Sequence, residues 1–167
     1  MSSLAREVRI VQNPALGSVL LWRFTVGYCD AHSTSESPIL QLAYLVLPII
    51  LNREMFEVLH STRKDSGLNA FVEKFSRSDI GKSDVLLAVH TRAEQLRPLT
   101  TRSIQTAVRH HLIALSARDA RLMPVTTTAP TAVAPSIRQL MQGAEKLGAW
   151  FSQMTVFELT SALRVVL

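Results

Sequence analysis

The segment over residues 97–125, RPLTTRSIQTAVRHHLIALSARDARLMPV, constrains the fold more than any other stretch, because its period changes from helical to alternating within a few residues. On an ideal helix Ile104, Ala107, Val108, His111 and Leu112 share one face, and Arg102, Gln105, Thr106 and Arg109 share the opposite one. Pro98 with Thr100 and Thr101 marks the expected start of that helix. Beyond it, Ile113, Leu115 and Ala117 alternate against Ala114, Ser116 and Arg118, a turn falls around Asp119, and residues 121–125 return. A basic amphipathic helix feeding a short hairpin is the core of a winged helix-turn-helix, a module that binds nucleic acid or protein.

Elsewhere the chain reads as helical. Residues 1–12 predict an extended arm centred on VRIVQ. Asn13-Pro14 opens a helix, ALGSVLLWRFTVGY, that is apolar on nearly every side and so must pack against several neighbours. After a polar loop over 30–37 comes the most apolar run, ILQLAYLVLPIIL over 39–51, shorter than the roughly 20 residues a membrane crossing needs. It predicts a central buried helix, with Ser37 as cap and Pro38 in the first turn. NREMFEVLH continues that helix or forms a bent second piece, STRKDSG turns, and GLNAFVEKF is a short amphipathic helix. SRSDIGKSD reads as a polar loop, and KSDVLLAVHTRAEQL as a helix ending before Pro98. The Thr/Ala/Pro stretch over 126–135 suits a linker or extended loop. A helix resumes at Ser136 with Ile137, Leu140, Met141, Ala144, Leu147, Gly148 and Phe151 on one stripe, and Thr155 with Glu158 forms a capping box for a last helix. The expected architecture is mainly α: one helical domain over 1–167, a winged-helix element over about 82–125, a flexible loop at 126–135 and C-terminal helices at 136–167.

Composition and motifs narrow the function. A hydrophobic share of 47% against 19% charged residues, with mean hydropathy +0.18, is greasy for a soluble monomer and implies a partner for the surplus. The net charge of +5 permits an acidic partner or nucleic acid, although no Lys/Arg run appears. A single cysteine, Cys29, excludes an intrachain disulfide framework, and the start lacks the pattern of an export signal; both fit the cytoplasm. A zinc site needs about four ligands in close pairs, which one cysteine and dispersed histidines do not offer. Gly81-Lys82-Ser83 ends like a phosphate loop, but Ser76 stands where the upstream glycine belongs. No catalytic residue, metal or cofactor is expected.

Three residues are out of keeping with their surroundings. Arg23 falls between Leu16 and Val26 on the helical wheel, so it snorkels, pairs within the chain or meets a partner. His111, in the apolar face of the basic helix, reads as a neutral, hydrogen-bonded core histidine. Trp150 lies off the centre of its stripe, at the core edge or as an interface anchor. Arg23 and Trp150 are therefore the candidate partner-binding residues. Arg102, Arg109, Arg118 and Arg121 are the candidate nucleic-acid-binding residues, able to follow a phosphate backbone.

Several blocks together resemble a known family: QNPALGSVLLWRF, PILQLAYLVLPIIL, STRKDSGLNAFVEKF, RPLTTRSI, DARLMP and EKLGAWFSQMTVFELTSALRV. Their order is similar to that of the small middle components of three-component ABC-ATPase systems in bacterial conflict and phage-defence loci. The resemblance implies a non-enzymatic adaptor linking an SMC-like ABC ATPase to an effector protein, with no membrane partner. It leaves open DNA contact through the complex and a homodimer. The rival reading is a winged-helix DNA-binding protein, a transcriptional regulator or nucleoprotein component. A small thiol or metal enzyme is the third class.

Overall fold

The computed structural model describes residues 13–77 and 80–167, so the arm expected over residues 1–12 lies outside the described residues. The architecture is mainly helical, with a small antiparallel hairpin inserted in the second half. In chain order the helices are α1 (Pro14–Ala31), α2 (Leu40–Ile50), α3 (Arg53–Ser61), α4 (Gly67–Ser76), α5 (Ile80–Leu87) and α6 (Val89–Arg109). The strands β1 (Ile113–Ser116) and β2 (Arg121–Pro124) follow, then α7 (Pro135–Phe151) and α8 (Val156–Leu163).

Helix α1 is the centre of the molecule. The Asn13 side chain accepts from the Ala15 and Leu16 amides and so caps it, and every residue from Gly17 to Tyr28 except Val19 is buried. It packs along α7 on one side and α6 on another. The α1/α7 crossing is a backbone contact: a Cβ on Gly148 would stand 2.1 Å from the Phe24 carbonyl oxygen, and one on Gly27 would stand 2.2 Å from that of Glu145. Toward α6, a Cβ on Gly17 would lie 2.1 Å from Ser103 Oγ. Small residues thus set how near these helices come, and Phe24, Phe151, Leu147 and Leu20 fill the remaining space.

The run over 39–51 is buried as expected, but Ser37-Pro38 does not cap it. Residues 38–40 instead lie along β2, on the side opposite β1: Leu122 N–H donates to Pro38 O at 2.9 Å, Leu40 N–H donates to Ala120 O at 2.7 Å, and Ile39 bridges Arg121. Backbone pairing with the hairpin satisfies groups that a cap would otherwise serve. The helix then breaks after Ile50, and Asn52 caps α3 through the Met55 amide, so the second piece is bent and not continuous.

Two further segments differ from what their sequence predicts. The polar loop over residues 76–84 is helical from Ile80, which places Gly81-Lys82-Ser83 inside α5. Pro98 neither ends one helix nor starts another, because α6 runs through it without interruption. Pro98 and Glu94, whose carbonyl loses its donor, are both exposed, so the orphaned oxygen lies on the wet side of the helix and the break is tolerated.

Helix α6 closes before the hairpin through a left-handed residue. His111 takes φ 56°; its N–H donates to Val108 O at 3.1 Å and the Leu112 N–H to Ala107 O at 2.9 Å, the bond pair that ends many helices. His111 is therefore exposed and outside the helix, not a core histidine, and Val108 is turned outward with it. The hairpin pairs Ile113 with Pro124 and Ser116 with Arg121 across a turn that includes Asp119.

At the far end, Thr155 and Glu158 complete the expected capping box of α8. Hydrogen bonds from the Thr155 backbone and then its hydroxyl hold the Glu158 carboxyl below its ordinary pKa. A carboxyl lowered in the folded state stabilises the fold above its unfolded pKa and loses that contribution as pH falls through the lowered value. The stability difference between wild type and Glu158→Gln should accordingly be full near neutrality and shrink on titration below roughly pH 4.5. A difference independent of pH in urea titrations would contradict this role.

Candidate interaction surface

The charged face of α6 and the hairpin is one part of the candidate surface. Arg102 and Arg109 are exposed on the face shared with Gln105, and Arg118 is exposed in the hairpin turn. Arg121 is different. Its guanidinium donates to the Ser37 carbonyl and pairs with Glu36 at 3.3 Å and Asp119 at 3.7 Å, which fastens β2 to the segment before α2. Among the described residues no ion pair holds Arg102, Arg109 or Arg118. Between Arg92 and Arg121 the chain carries six arginines against Glu94 and Asp119, so most of the net charge of +5 is concentrated here. A windowed charge count, not a search for Lys/Arg runs, is the sequence signal for it.

Arg23 and Trp150 face inward. Arg23 pairs with Glu145 and donates from Nη1 to Thr127 O at 2.8 Å, while the indole of Trp22 donates to Thr126 O at 2.6 Å. The two side chains tie α1 both to α7 and to the first residues of the 126–135 stretch. Trp150 is 1% exposed, its indole donates to Lys64 O at 2.7 Å, and its ring lies 5.8 Å from that of Phe71. Neighbouring Lys146 reaches the carbonyls of Leu59, His60 and Thr62 at the end of α3, where a cation complements the helix dipole. Burial, and then the charge of Lys74, lowers the Lys146 pKa.

Sequence periodicity missed the apolar residues that do face solvent. Phe157 on α8 is 79% exposed although Leu159 and Leu163 of the same helix are fully buried. Val156 and Val166 are exposed nearby in sequence. On the hairpin, Leu115 and Met123 are exposed, as is Val125 just past β2; Met123 lies on the face opposite buried Leu122. A groove of about 760 Å³ lies between α2 and α6, lined by Leu40, Tyr44, His90 and Arg97 and by Val166 and Leu167.

The remaining polar groups are arranged for structure. Cys29 is half-buried with Sγ 3.7 Å from Ser37 Oγ, and burial pushes its thiol up, which disfavours a nucleophilic thiolate. His32 Nδ1 accepts from the Thr34 and Glu36 amides and holds the loop between α1 and α2. Among the described residues no three His, Cys, Asp or Glu side chains gather as metal ligands, and no helix is long and apolar enough to cross a membrane.

No curated protein and no solved structure is significantly similar to this chain. The family model for the ABC-three component (ABC-3C) system Middle Component 3 matches residues 1–167, the whole sequence. The ordered blocks from QNPALGSVLLWRF to EKLGAWFSQMTVFELTSALRV thus fall within that match. The chain belongs to the Middle Component 3 family of ABC-three component systems.

Proposed function

We propose that the chain is a non-enzymatic adaptor in a bacterial anti-phage defence complex of the cytoplasm, joining an SMC-like ABC ATPase to an effector protein. Family membership supports a role beside other components, and the observation that carries the adaptor reading is the exposed apolar surface. Among the described residues, none packs over Phe157: it projects from a helix whose inward face is already filled by Leu159 and Leu163. An aromatic ring left 79% exposed is the kind of side chain that anchors an interface.

Co-expression with the ATPase and effector of the same system tests this. The chain should co-elute with them, and Phe157→Ala should weaken the complex by about 2 kcal/mol, the size of an interface hot spot, while leaving the melting temperature of the isolated chain unchanged. An unaltered affinity would remove α8 from the interface. Duplex DNA is the second reading, favoured by exposed Arg102, Arg109 and Arg118. Contacts of that kind give a steep salt dependence that is the same on unrelated sequences.

A further inference from the structure

The hairpin and the end of α6 that feeds it combine two properties that a nucleic-acid backbone does not ask for together. Arg109 stands at its base, where α6 ends, and Arg118 at its tip, both exposed. Between them along the hairpin, Met123 is 41% and Val125 55% exposed. Register places Met123 on one face with Ala114, Ser116 and Arg121, and Val125 follows it just past β2, its N–H donating to Leu112 O at 3.0 Å; on the other face Leu122 and Ile113 are buried and Leu115 is half-exposed. The other cation of the hairpin, Arg121, is already engaged by Glu36, Asp119 and the Ser37 carbonyl.

We infer that this face docks an acidic segment of a protein partner that carries apolar side chains, its carboxylates meeting Arg109 and Arg118 and its apolar groups covering Met123 and Val125. Charge complementarity selects that occupant. A second copy of this chain would bring like charges together at both ends of the hairpin, which is repulsive. A phosphate backbone would satisfy the arginines but leave two apolar side chains against a polyanion, whereas protein interfaces place apolar anchors inside a polar rim.

The inference rests on the adaptor reading, and its test separates the two. The full-length chain, purified with its own ATPase and effector, is compared with two variants: Arg109→Glu with Arg118→Glu, and Met123→Ala with Val125→Ala. All four positions are exposed, and circular dichroism melts verify that folding is retained. The charge reversals should weaken assembly at least about tenfold and make it less salt-sensitive, and the apolar truncations should weaken it by about fivefold to tenfold. Binding of each variant to a 30-base-pair duplex of arbitrary sequence is the parallel measurement. If the complex assembles with unchanged affinity in both variants, the docking inference fails and the adaptor reading stands. If the wild-type chain binds neither protein, both fail. If the charge reversals abolish duplex binding while the apolar truncations leave assembly untouched, the face belongs to nucleic acid. If the chain alone forms a dimer that Met123→Ala with Val125→Ala dissolves, a second copy is the occupant and the inference is overturned.

Discussion

Gly148→Ala should destabilise this protein by about 3 kcal/mol or more, even though alanine is the better helix former. Helix propensity alone favours alanine over glycine in a helix interior by about 1 kcal/mol. Against that stands a Cβ only 2.1 Å from the Phe24 carbonyl oxygen and 2.8 Å from the Tyr28 amide nitrogen. Both are backbone atoms inside α1, so relief requires α1 and α7 to separate and the core between them to loosen. For a chain of this size the melting temperature should fall by roughly 6–12 °C. Gly67→Ala is the contrasting control: nothing stands within 4 Å of its Cβ position, but its φ of 76° penalises a side chain, so a loss nearer 1 kcal/mol is expected. Equal melting temperatures for Gly148→Ala and wild type would mean that the two helices do not meet at their backbones.

Trp150→Ala should unfold a large fraction of the molecule instead of weakening a complex selectively. A fully buried tryptophan replaced by alanine costs about 3–5 kcal/mol, and the hydrogen bond from its indole to Lys64 O is lost as well. Natural domains hold only about 5–15 kcal/mol in reserve, so urea titration should show a much lower midpoint. Phe157→Ala is expected to show the opposite pattern, with stability kept and association lost. A Trp150→Ala chain with a wild-type midpoint would place the indole at the surface after all.

Local signals were legible where the outcome depends on near neighbours in sequence. Asn13 caps α1 and Thr155 boxes with Glu158 as their spacing demands, and the change of period after Leu112 marks a real hairpin. Signals that depend on tertiary surroundings were not. Pro98 carries the same breaking tendency anywhere, but here the freed Glu94 carbonyl is on the solvent side and α6 continues. Ser37-Pro38 has the form of a helix start, yet β2 recruits the Pro38 carbonyl. The helical wheel placed His111 inside because it extends the helix through it, while the left-handed turn at His111 rotates the chain away; Val108 stays within α6, in its last turn, and is exposed there.

The candidate surface divides the same way. Arginines are visible as charges in any sequence, but which of them are available depends on partners distant in the chain: Arg121 meets Glu36, and Arg23 meets Glu145. Tryptophan and phenylalanine are equally apolar in composition, and the fold assigns them opposite places. Trp150, off the centre of the stripe that meets α1, turns toward α4, where Phe71 receives it, whereas Phe157 is displaced from the Leu159 and Leu163 stripe of α8.

Whether this chain joins an ATPase to an effector is decided by leaving it out. The tagged ATPase of the same system is purified from cells expressing the effector, with and without this chain, and the effector retained is quantified. The adaptor reading predicts effector recovery only when the chain is present, and its loss with Phe157→Ala. Equal recovery of effector in the absence of the chain would contradict it.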